Sequence, residues 1–344
     1  MKALLTILIP TFNREDRLRK TLPYFLKEKS ENIEFLVCDN GSTDGTESYI
    51  KKVQKKEKRL NYVKNHTNIG MNRNIFRGFL EAKTNWISIF SDDDYIEKGF
   101  LSELEDCIEQ NPNCGLVISS EKRSPKKFNK TTLIKKGVKA IETSFIYSGS
   151  IMAFTFDKTK FNQQDWNLDN SIYPQIRIGV NISLNHDVVF LVGRNKPIYG
   201  QWNDSIISIS KSRTLDYGLF ERVDILQEVT AKLEVKKQQK MFNKSSVTLF
   251  NWAISKFIQM YYENENYAMK YFKYILRHKK IGTSAIFFGV SFVRLATNNK
   301  IDLSTKIQIY FALGKSGLKS IINPNFYSSL NYMIQNLNYL IKKI

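Results

Sequence analysis

Short apolar runs alternate with amphipathic stretches through the first hundred positions of the chain. "LLTILIP" (4–10), "IEFLVCD" (33–39), "LNYVKN" (60–65) and "NWISIFS" (85–91) are close to continuously apolar. Between them, "NREDRLRKTLPYFLKEK" (13–29) sets Leu18, Leu22, Phe25 and Leu26 on one helical face. "GSTDGTESYIKKVQKKE" (41–57) opens with turn and cap residues and then turns helical, and "MNRNIFRGFLEAK" (71–83) predicts a further helix. Strand and helix in alternation, with strands apolar on both faces, predict a parallel sheet covered by helices on each side. Ligands of such sheets bind beyond the carboxyl ends of the strands. Two polar segments, "DNGSTDGT" (39–46) and "SDDDY" (91–95), fall at such ends.

Further along, the pattern is less regular. Residues 121–143 are basic and weakly periodic, which predicts a mobile loop or a short hairpin. "FIYSGSIMAFTF" (145–156) returns to strand character. "SLNHDVVFLVGRNKPIYGQW" (183–202) reads as a short helix followed by a strand. From about residue 215 the pattern is helical. Phe326, Leu330, Met333, Leu337, Leu340 and Ile344 form a stripe at alternating spacings of four and three, a helix face and a short heptad pattern. No internal repeat is visible.

A length of 344 residues suits two domains, or one large domain with an appendage. Cys38, Cys107 and Cys114 are scattered and odd in number, so they predict no disulfide framework and suit a reducing cytoplasm. The opening "MKALLTILIPTF" is too short in its apolar run for a signal peptide and predicts a first strand. The least polar later run, 281–293, falls short of the roughly 18–20 residues of a spanning helix. A soluble or peripheral protein is expected. The formal charge is +19, and residues 241–344 alone carry fourteen Lys and Arg against three Asp and Glu. Such a surplus attracts nucleic acid, acidic lipid headgroups or phosphorylated glycans, and composition does not choose among them.

Against that excess, the run Asp92-Asp93-Asp94 concentrates negative charge where a buried strand surfaces. A solvated turn that caps the next helix is one explanation. A divalent cation is the other, because it relieves the mutual repulsion of the carboxylates. Mg²⁺ or Mn²⁺ takes a few carboxylates together with phosphate oxygens and water. A metal held open on one side suits a diphosphate ligand and neutralises a phosphate leaving group.

Four segments in order, "ILIPTFNRE", "FLVCDNGSTDGT", "NIGMNRNIFRG" and "FSDDDYIEKGFL", resemble glycosyltransferase family 2, the inverting nucleotide-sugar transferases of the GT-A fold. The resemblance is strong over about residues 3–105 and weak over 145–205. It implies a Rossmann-like, mostly parallel sheet flanked by helices, followed by a C-terminal α-helical domain. The catalytic domain would span 1–214, with a nucleotide-binding half to about 105 and an acceptor half beyond it. The basic helical domain would span 215–344 and serve membrane association or pairing of two subunits.

Carried over by position, the resemblance implies that Pro10, Thr11, Asn13 and Arg14 line the nucleotide pocket. Asp39 would accept hydrogen bonds from the base, typically uracil, or its ribose. Asn68 and Gly70 would border the nucleotide, and Asp92 would lie near the ribose and metal. Asp93 and Asp94 are the metal-ligand candidates, Asp93 also facing the donor; the family's common Asp-x-Asp-Asp is Ser-Asp-Asp-Asp here. An inverting transfer needs a general base to deprotonate the acceptor hydroxyl. "NHDVVF" offers Asp187 at an expected helix start, with Asp165 and Asp169 as fallbacks. His186 is a surface residue or a metal ligand. Trp166, Tyr173 and Trp202 are packing residues or stack on sugar rings.

The function these readings imply is transfer of a single hexosyl or N-acetylhexosaminyl unit from a nucleotide sugar, UDP-linked by expectation. The acceptor would be a glycan or lipid-linked intermediate of bacterial capsule, lipopolysaccharide or wall glycan synthesis. No Gln-x-x-Arg-Trp motif follows, which argues against a processive synthase. The expected place is the cytoplasm, peripheral on the inner face of the membrane. Two other classes remain open. A metal-dependent nucleotidyltransferase also uses carboxylates, but "PTFNRED" lacks its glycine-rich loop. A nucleic-acid-binding module would explain the charge, but no zinc spacing, RNP-like motif or helix-turn-helix is present, so nucleic acid is not an expected partner.

Overall fold

The computed structural model describes residues 3–120, 128–147, 151–162, 171, 174–198, 200 and 219–234. A compact unit spanning Met1–Asp204 and Glu228–Lys237 contains the sheet. Its strands and helices follow in the order β1 (Leu5–Thr11), α1 (Glu15–Leu26), β2 (Ile33–Asp39), α2 (Thr46–Gln54), β3 (Leu60–Lys64), α3 (Met71–Glu81), β4 (Trp86–Ile89), β5 (Tyr95–Ile96), α4 (Phe100–Gln110), β6 (Cys114–Ser119), β7 (Thr132–Ile134), α5 (Val138–Ile146), β8 (Phe154–Asp157), α6 (Pro174–Asn185), β9 (Asp187–Leu191) and β10 (Pro197–Ile198). A further helix, α7, spans Leu219–Ala231.

Eight strands form one sheet in the order β3-β2-β1-β4-β8-β6-β9-β7. β1, β2, β3 and β4 are parallel, and so are β6 and β9. β8 runs antiparallel to both β4 and β6, and β7 antiparallel to β9. β5 and β10 make a separate antiparallel pair.

The apolar runs are buried on both faces because successive side chains of a strand point to opposite sides. Leu5, Ile7 and Ile9 of β1, with Phe35 and Val37 of β2, pack against Leu18, Leu22 and Phe25 of α1, Ile50 of α2 and Leu101 and Leu104 of α4. Leu8, Leu36 and Ile87 face the other way, toward Ile75 and Phe79 of α3, Ala140 of α5 and Ile178 and Ile182 of α6. The result is a helix–sheet–helix sandwich with two cores, the mixed α/β arrangement expected. Cys38, Cys107 and Cys114 are buried free thiols inside it, and burial pushes each up to about 11 or 12.

Two expectations are corrected. The stretch 121–143 does not form a loop or hairpin throughout: Thr132–Ile134 is the edge strand β7, and α5 begins at Val138. Gly137, at φ 103, makes the turn between them. Of the strand expected over 145–156, the described residues show strand only at Phe154–Asp157, because Phe145 and Ile146 end α5 and Ile151–Ala153 form a single 3-10 turn. Neither segment has a local pattern strong enough to fix its state, and long-range pairing, β7 with β9 and β8 with β4 and β6, decided which was adopted. The expected helices beyond residue 234, including the Phe326–Ile344 stripe, lie outside the described residues. Among the described residues no helix is long and apolar enough to cross a membrane.

Candidate functional site

The parallel register brings Thr11 of β1 level with Asp39 of β2, and Asp39 level with Lys64 of β3. Phe90, just past β4, still donates its N–H to the Leu8 carbonyl. The loops that leave these four strands therefore gather at one edge, and the predicted residues between Pro10 and Asp94 gather with them.

The acidic run forms a tight turn. Asp94 donates its N–H to the Ser91 carbonyl at 3.1 Å, and its Oδ2 accepts from the Ser91 N–H at 3.0 Å. Asp92 is buried: its Oδ2 accepts from Thr11 Oγ1 at 2.8 Å and its Oδ1 from Arg14 Nη1 at 2.7 Å. The Asp92 carbonyl also accepts from Thr21 Oγ1 of α1. Asp93 lies 3.0 Å from Arg17 Nη1 and 3.8 Å from Arg14 Nη1. Asp94, equally deep, has no ion-pair partner among the described residues. Burial, and then the Asp93 charge, push its carboxyl up to about 8. Burial likewise holds Asp92 above the usual carboxylate range, against the pull of Arg14 and Thr11. Three carboxylates thus face two guanidinium groups. Among the described residues Asp93 is paired with Arg17 and Asp94 with no cation, so a divalent cation beside these two carboxylates would supply the charge that Asp94 lacks.

Asn13 adopts the left-handed region at φ 50, which asparagine tolerates better than most residues. There its N–H donates to Ser42 Oγ and its Oδ1 accepts from the Thr43 N–H, so the loops after β1 and β2 are stitched together. Asp39 is completely buried below them. Its Oδ1 accepts from the Ser42 N–H and its Oδ2 from the Tyr62 hydroxyl at 2.6 Å. The predicted base contact of Asp39 therefore meets a carboxylate that already shapes the "DNGST" turn. Gly41 completes the turn at φ 80, and a Cβ there would lie 2.7 Å from the Thr67 carbonyl carbon.

Asn68 and Gly70 stand on the same edge, held by an amide network. Asn40 Nδ2 donates to Asn68 Oδ1, which also accepts from the Gly70 N–H. Asn40 Oδ1 accepts from Ile69 N–H and from Asn65 Nδ2, and Asn65 Nδ2 reaches Asn74 Oδ1. Arg17, Tyr62, Asn40, Asn65 and Asn74 were not among the predicted residues. Arg17 follows Arg14 by three positions on one helix face, and the asparagines stand out as the repeated Asn of "DNG", "KNHTN" and "MNRN".

Asp187 is not brought to this edge. α6 ends at Asn185, so Asp187 opens the strand β9 and not a helix. It pairs with Cys114 at the start of β6, at the amino edge of the sheet. The level of Trp86 and Asp157 marks that edge, about 13 Å of strand from Phe90 at ~3.3 Å per residue. Its carboxylate accepts from Lys135 Nζ at 2.9 Å and from the Lys136 N–H at 3.0 Å. Those contacts hold it below the usual carboxylate range, which also makes it a weaker base. Asp187, the base expected from the sequence, thus stands at the opposite edge of the sheet from the acidic turn. His186 lies at the same far edge. Asp165, Trp166, Asp169, Tyr173 and Trp202 lie outside the described residues. Ser171 is described, and its carbonyl accepts from Asn72 Nδ2 at the start of α3.

This sheet, with an acidic turn at its carboxyl edge, agrees with the match of residues 6–178 to glycosyl transferase family 2. The chain belongs to glycosyl transferase family 2. Among the relatives of this family 2 chain is the GalNAc(5)-diNAcBac-PP-undecaprenol beta-1,3-glucosyltransferase of Campylobacter jejuni. It is 32% identical over 101 residues, 29% of this chain and 33% of that protein. The abequosyltransferase RfbV of Salmonella typhimurium is 29% identical over 121 residues, 34% of this chain and 36% of that one. The family 2 chain thus spans about a third of the length of these curated relatives. Among solved structures, S. aureus TarS 1–349 in complex with UDP-GlcNAc superposes with a TM-score of 0.54 at 13% identity, covering 98% of this chain and 92% of that one. The mannosyltransferase PcManGT from Pyrobaculum calidifontis, in complex with GDP-Man and Mn²⁺, gives 0.53 at 12% identity, covering 94% and 88%. At such identities the likeness shows the fold.

Proposed function

We propose that this protein moves a single sugar from a nucleotide-sugar donor, UDP-linked, to a glycan of a bacterial surface polysaccharide, with inversion at the anomeric carbon. The observation that carries the reading is the buried acidic turn: Asp92 and Asp93 are matched by Arg14 and Arg17, while Asp94 has no cation partner among the described residues. Asp93 and Asp94 would hold Mn²⁺ or Mg²⁺, which when bound supplies charge compensation for the departing diphosphate. Thr11 and Arg14 fix Asp92 beside it. The Asn13–Ser42–Thr43 stitch and the Asn40–Asn68 amides set the walls for the nucleoside. The uridine base is supported by the UDP-GlcNAc named with TarS, and a lipid-linked acceptor by the undecaprenol carrier named for the Campylobacter relative.

Inversion requires the acceptor oxygen to attack from the face opposite the diphosphate while a carboxylate takes its proton. Asp169 and Asp165 precede Ser171 by two and six residues, and Ser171 contacts Asn72 at the carboxyl edge. We assign the base to this pair. The basic segment 215–344 is proposed to hold the enzyme at an anionic membrane surface, or to pair two copies. Titrating the chain with UDP-, GDP- and dTDP-sugars, with and without Mn²⁺, tests the reading. A UDP-sugar that binds only with metal and is slowly hydrolysed is expected. Absence of binding by every nucleotide sugar, with or without metal, overturns it.

A further inference from the structure

A cleft of about 220 Å³ opens at the amino edge of the sheet. Chain direction puts it there. β8 is antiparallel, so the turn Lys158–Lys160 that follows it exits at the edge where β9 begins. α6 ends at Asn185 beside the same edge. Ile178 and Ile182 form a buried apolar floor with Phe161 at one side. Asn162, Asn181 and Asn185 stand around it, and two lysines, Lys160 and Lys232, complete the wall.

The lining of the cleft is positive because it holds two lysines and no carboxylate, and the nearby carboxylates have other partners. Asp157 Oδ1 accepts from the Thr159 N–H and hydroxyl. Asp187 is taken by Lys135 and the Lys136 N–H. Lys232 Nζ donates to Asn181 Oδ1 at 2.9 Å, which spends only one of its three protons. Lys160 is exposed and makes no ion pair among the described residues. The adjacent His186 imidazole senses the field: burial first, then Lys160 and Lys136, hold it below its ordinary range against Asp157 and Asp187.

We infer that this cleft binds one saccharide or polyol unit carrying a single anionic group, phosphate or carboxylate. Lys160 and Lys232 meet the anion as compact point charges. The amides of Asn181 and Asn185 offer donors to ring hydroxyls, Asn181 through its Nδ2 because its Oδ1 already accepts from Lys232. At the end of α6 the Ile182 and Ser183 carbonyls already accept from the His186 and Gly137 N–H groups, which leaves those of Leu184 and Asn185 for further hydroxyls. That helix end is weakly negative, so the anion sits on the lysine side and the hydroxyls on the helix side. Ile178, Ile182 and Phe161 take the apolar face of the ring. The cleft and the acidic turn lie at opposite edges of the sheet, so the occupant is a distant unit of a bound glycan and not the sugar in transfer. The choice of a saccharide as the carrier rests on the transferase reading, whereas capture of the anion does not.

Saturation-transfer NMR titrations of the full chain with glucose 6-phosphate, glucuronate, glucose and inorganic phosphate test this. Glucose 6-phosphate or glucuronate is expected to bind at least about tenfold tighter than glucose, and the stronger of the two identifies the anion as phosphate or carboxylate. Lys160→Ala should weaken that binding severalfold and the Lys160→Ala, Lys232→Ala pair at least about tenfold, with nucleotide-sugar affinity unchanged. Lys160 is exposed, so its single variant keeps the test readable if the double variant folds poorly. Equal binding of glucose and both charged sugars overturns the inference. So does inorganic phosphate binding as tightly as glucose 6-phosphate, an adventitious ion only, or unchanged binding in Lys160→Ala. If no nucleotide sugar binds the wild type, the transferase reading fails while the anion titration still reports on the cleft.

Discussion

The Thr11 hydroxyl lies 2.8 Å from the Asp92 carboxylate, joining the end of the first strand to a turn 81 residues later. Both groups are buried, so the bond is made away from water. Thr11→Val keeps the shape and removes the donor. It should cost about 1–3 kcal/mol in urea denaturation, the usual result of leaving a buried acceptor short of a partner. Nucleotide-sugar affinity should fall in parallel, and Thr11→Ser should recover most of both. A Val variant as stable as wild type would mean that the contact does not fix the turn.

Asp94 predicts a pH-dependent conflict between stability and function. Below about pH 4 its proton is held in both folded and unfolded chains. As pH rises toward about 8 the unfolded chain ionises while the buried carboxyl keeps its proton, so this group's contribution to stability declines across that window. Asp94→Asn does not titrate. In chelator its melting temperature should match wild type near pH 4 and exceed it increasingly toward pH 8. Its metal-dependent nucleotide binding and turnover should be severely reduced. A melting difference independent of pH would remove the titration argument.

Asn40 is placed so that only an amide satisfies both sides: it donates to Asn68 and accepts from Ile69 and Asn65. Asn40→Asp sets a carboxylate against the Asn68 carbonyl oxygen. We expect a loss of about 1–3 kcal/mol in stability. Donor KM should rise more than kcat falls, because the network positions the Asn68–Gly70 loop and does not touch the reacting atoms. Unchanged donor KM would separate that loop from the nucleotide.

The base assignment is tested by comparing three variants. Asp187→Asn removes an ion pair to an exposed lysine and should cost at most about 1 kcal/mol, with acceptor-dependent turnover preserved. Asp169→Asn or Asp165→Asn should keep donor affinity while turnover falls by roughly 10²–10⁴-fold. Loss of turnover in Asp187→Asn alone would return the role to that residue.

Residues 241–344 carry a large share of the basic excess. Each Lys or Arg near an anionic bilayer contributes about 1 kcal/mol. The full chain should float with phosphatidylserine vesicles at low salt and less at high salt, while a chain ending near residue 240 should not. Sedimentation of the full chain as a dimer without flotation, lost on the same truncation, would assign the segment to subunit pairing.

What the sequence determined by itself is local. The apolar runs of "LLTILIP" and "IEFLVCD" specify strands buried on both faces, and the Asn, Gly and Asp residues after them specify turns at one edge. Each depends on residue spacing and on backbone preference within a few positions, so no distant partner is needed to read it. The sequence also placed the three carboxylates at a strand end, and therefore at the edge where parallel sheets bind ligands. Tertiary structure decided the rest. β8 entered the sheet antiparallel between β4 and β6, and its pairing with β4 joins residues more than sixty positions apart, such as Ser88 and Thr155. The edge of Asp187 depends on which way β9 runs, which its own continuous apolar run does not encode. Arg17 on Asp93, Tyr62 on Asp39 and the asparagine amides on one another are likewise unions of distant segments. A short polar residue reads the same in a sequence whether it faces water, a neighbour or a ligand, and only the packed chain supplies the partner that distinguishes them.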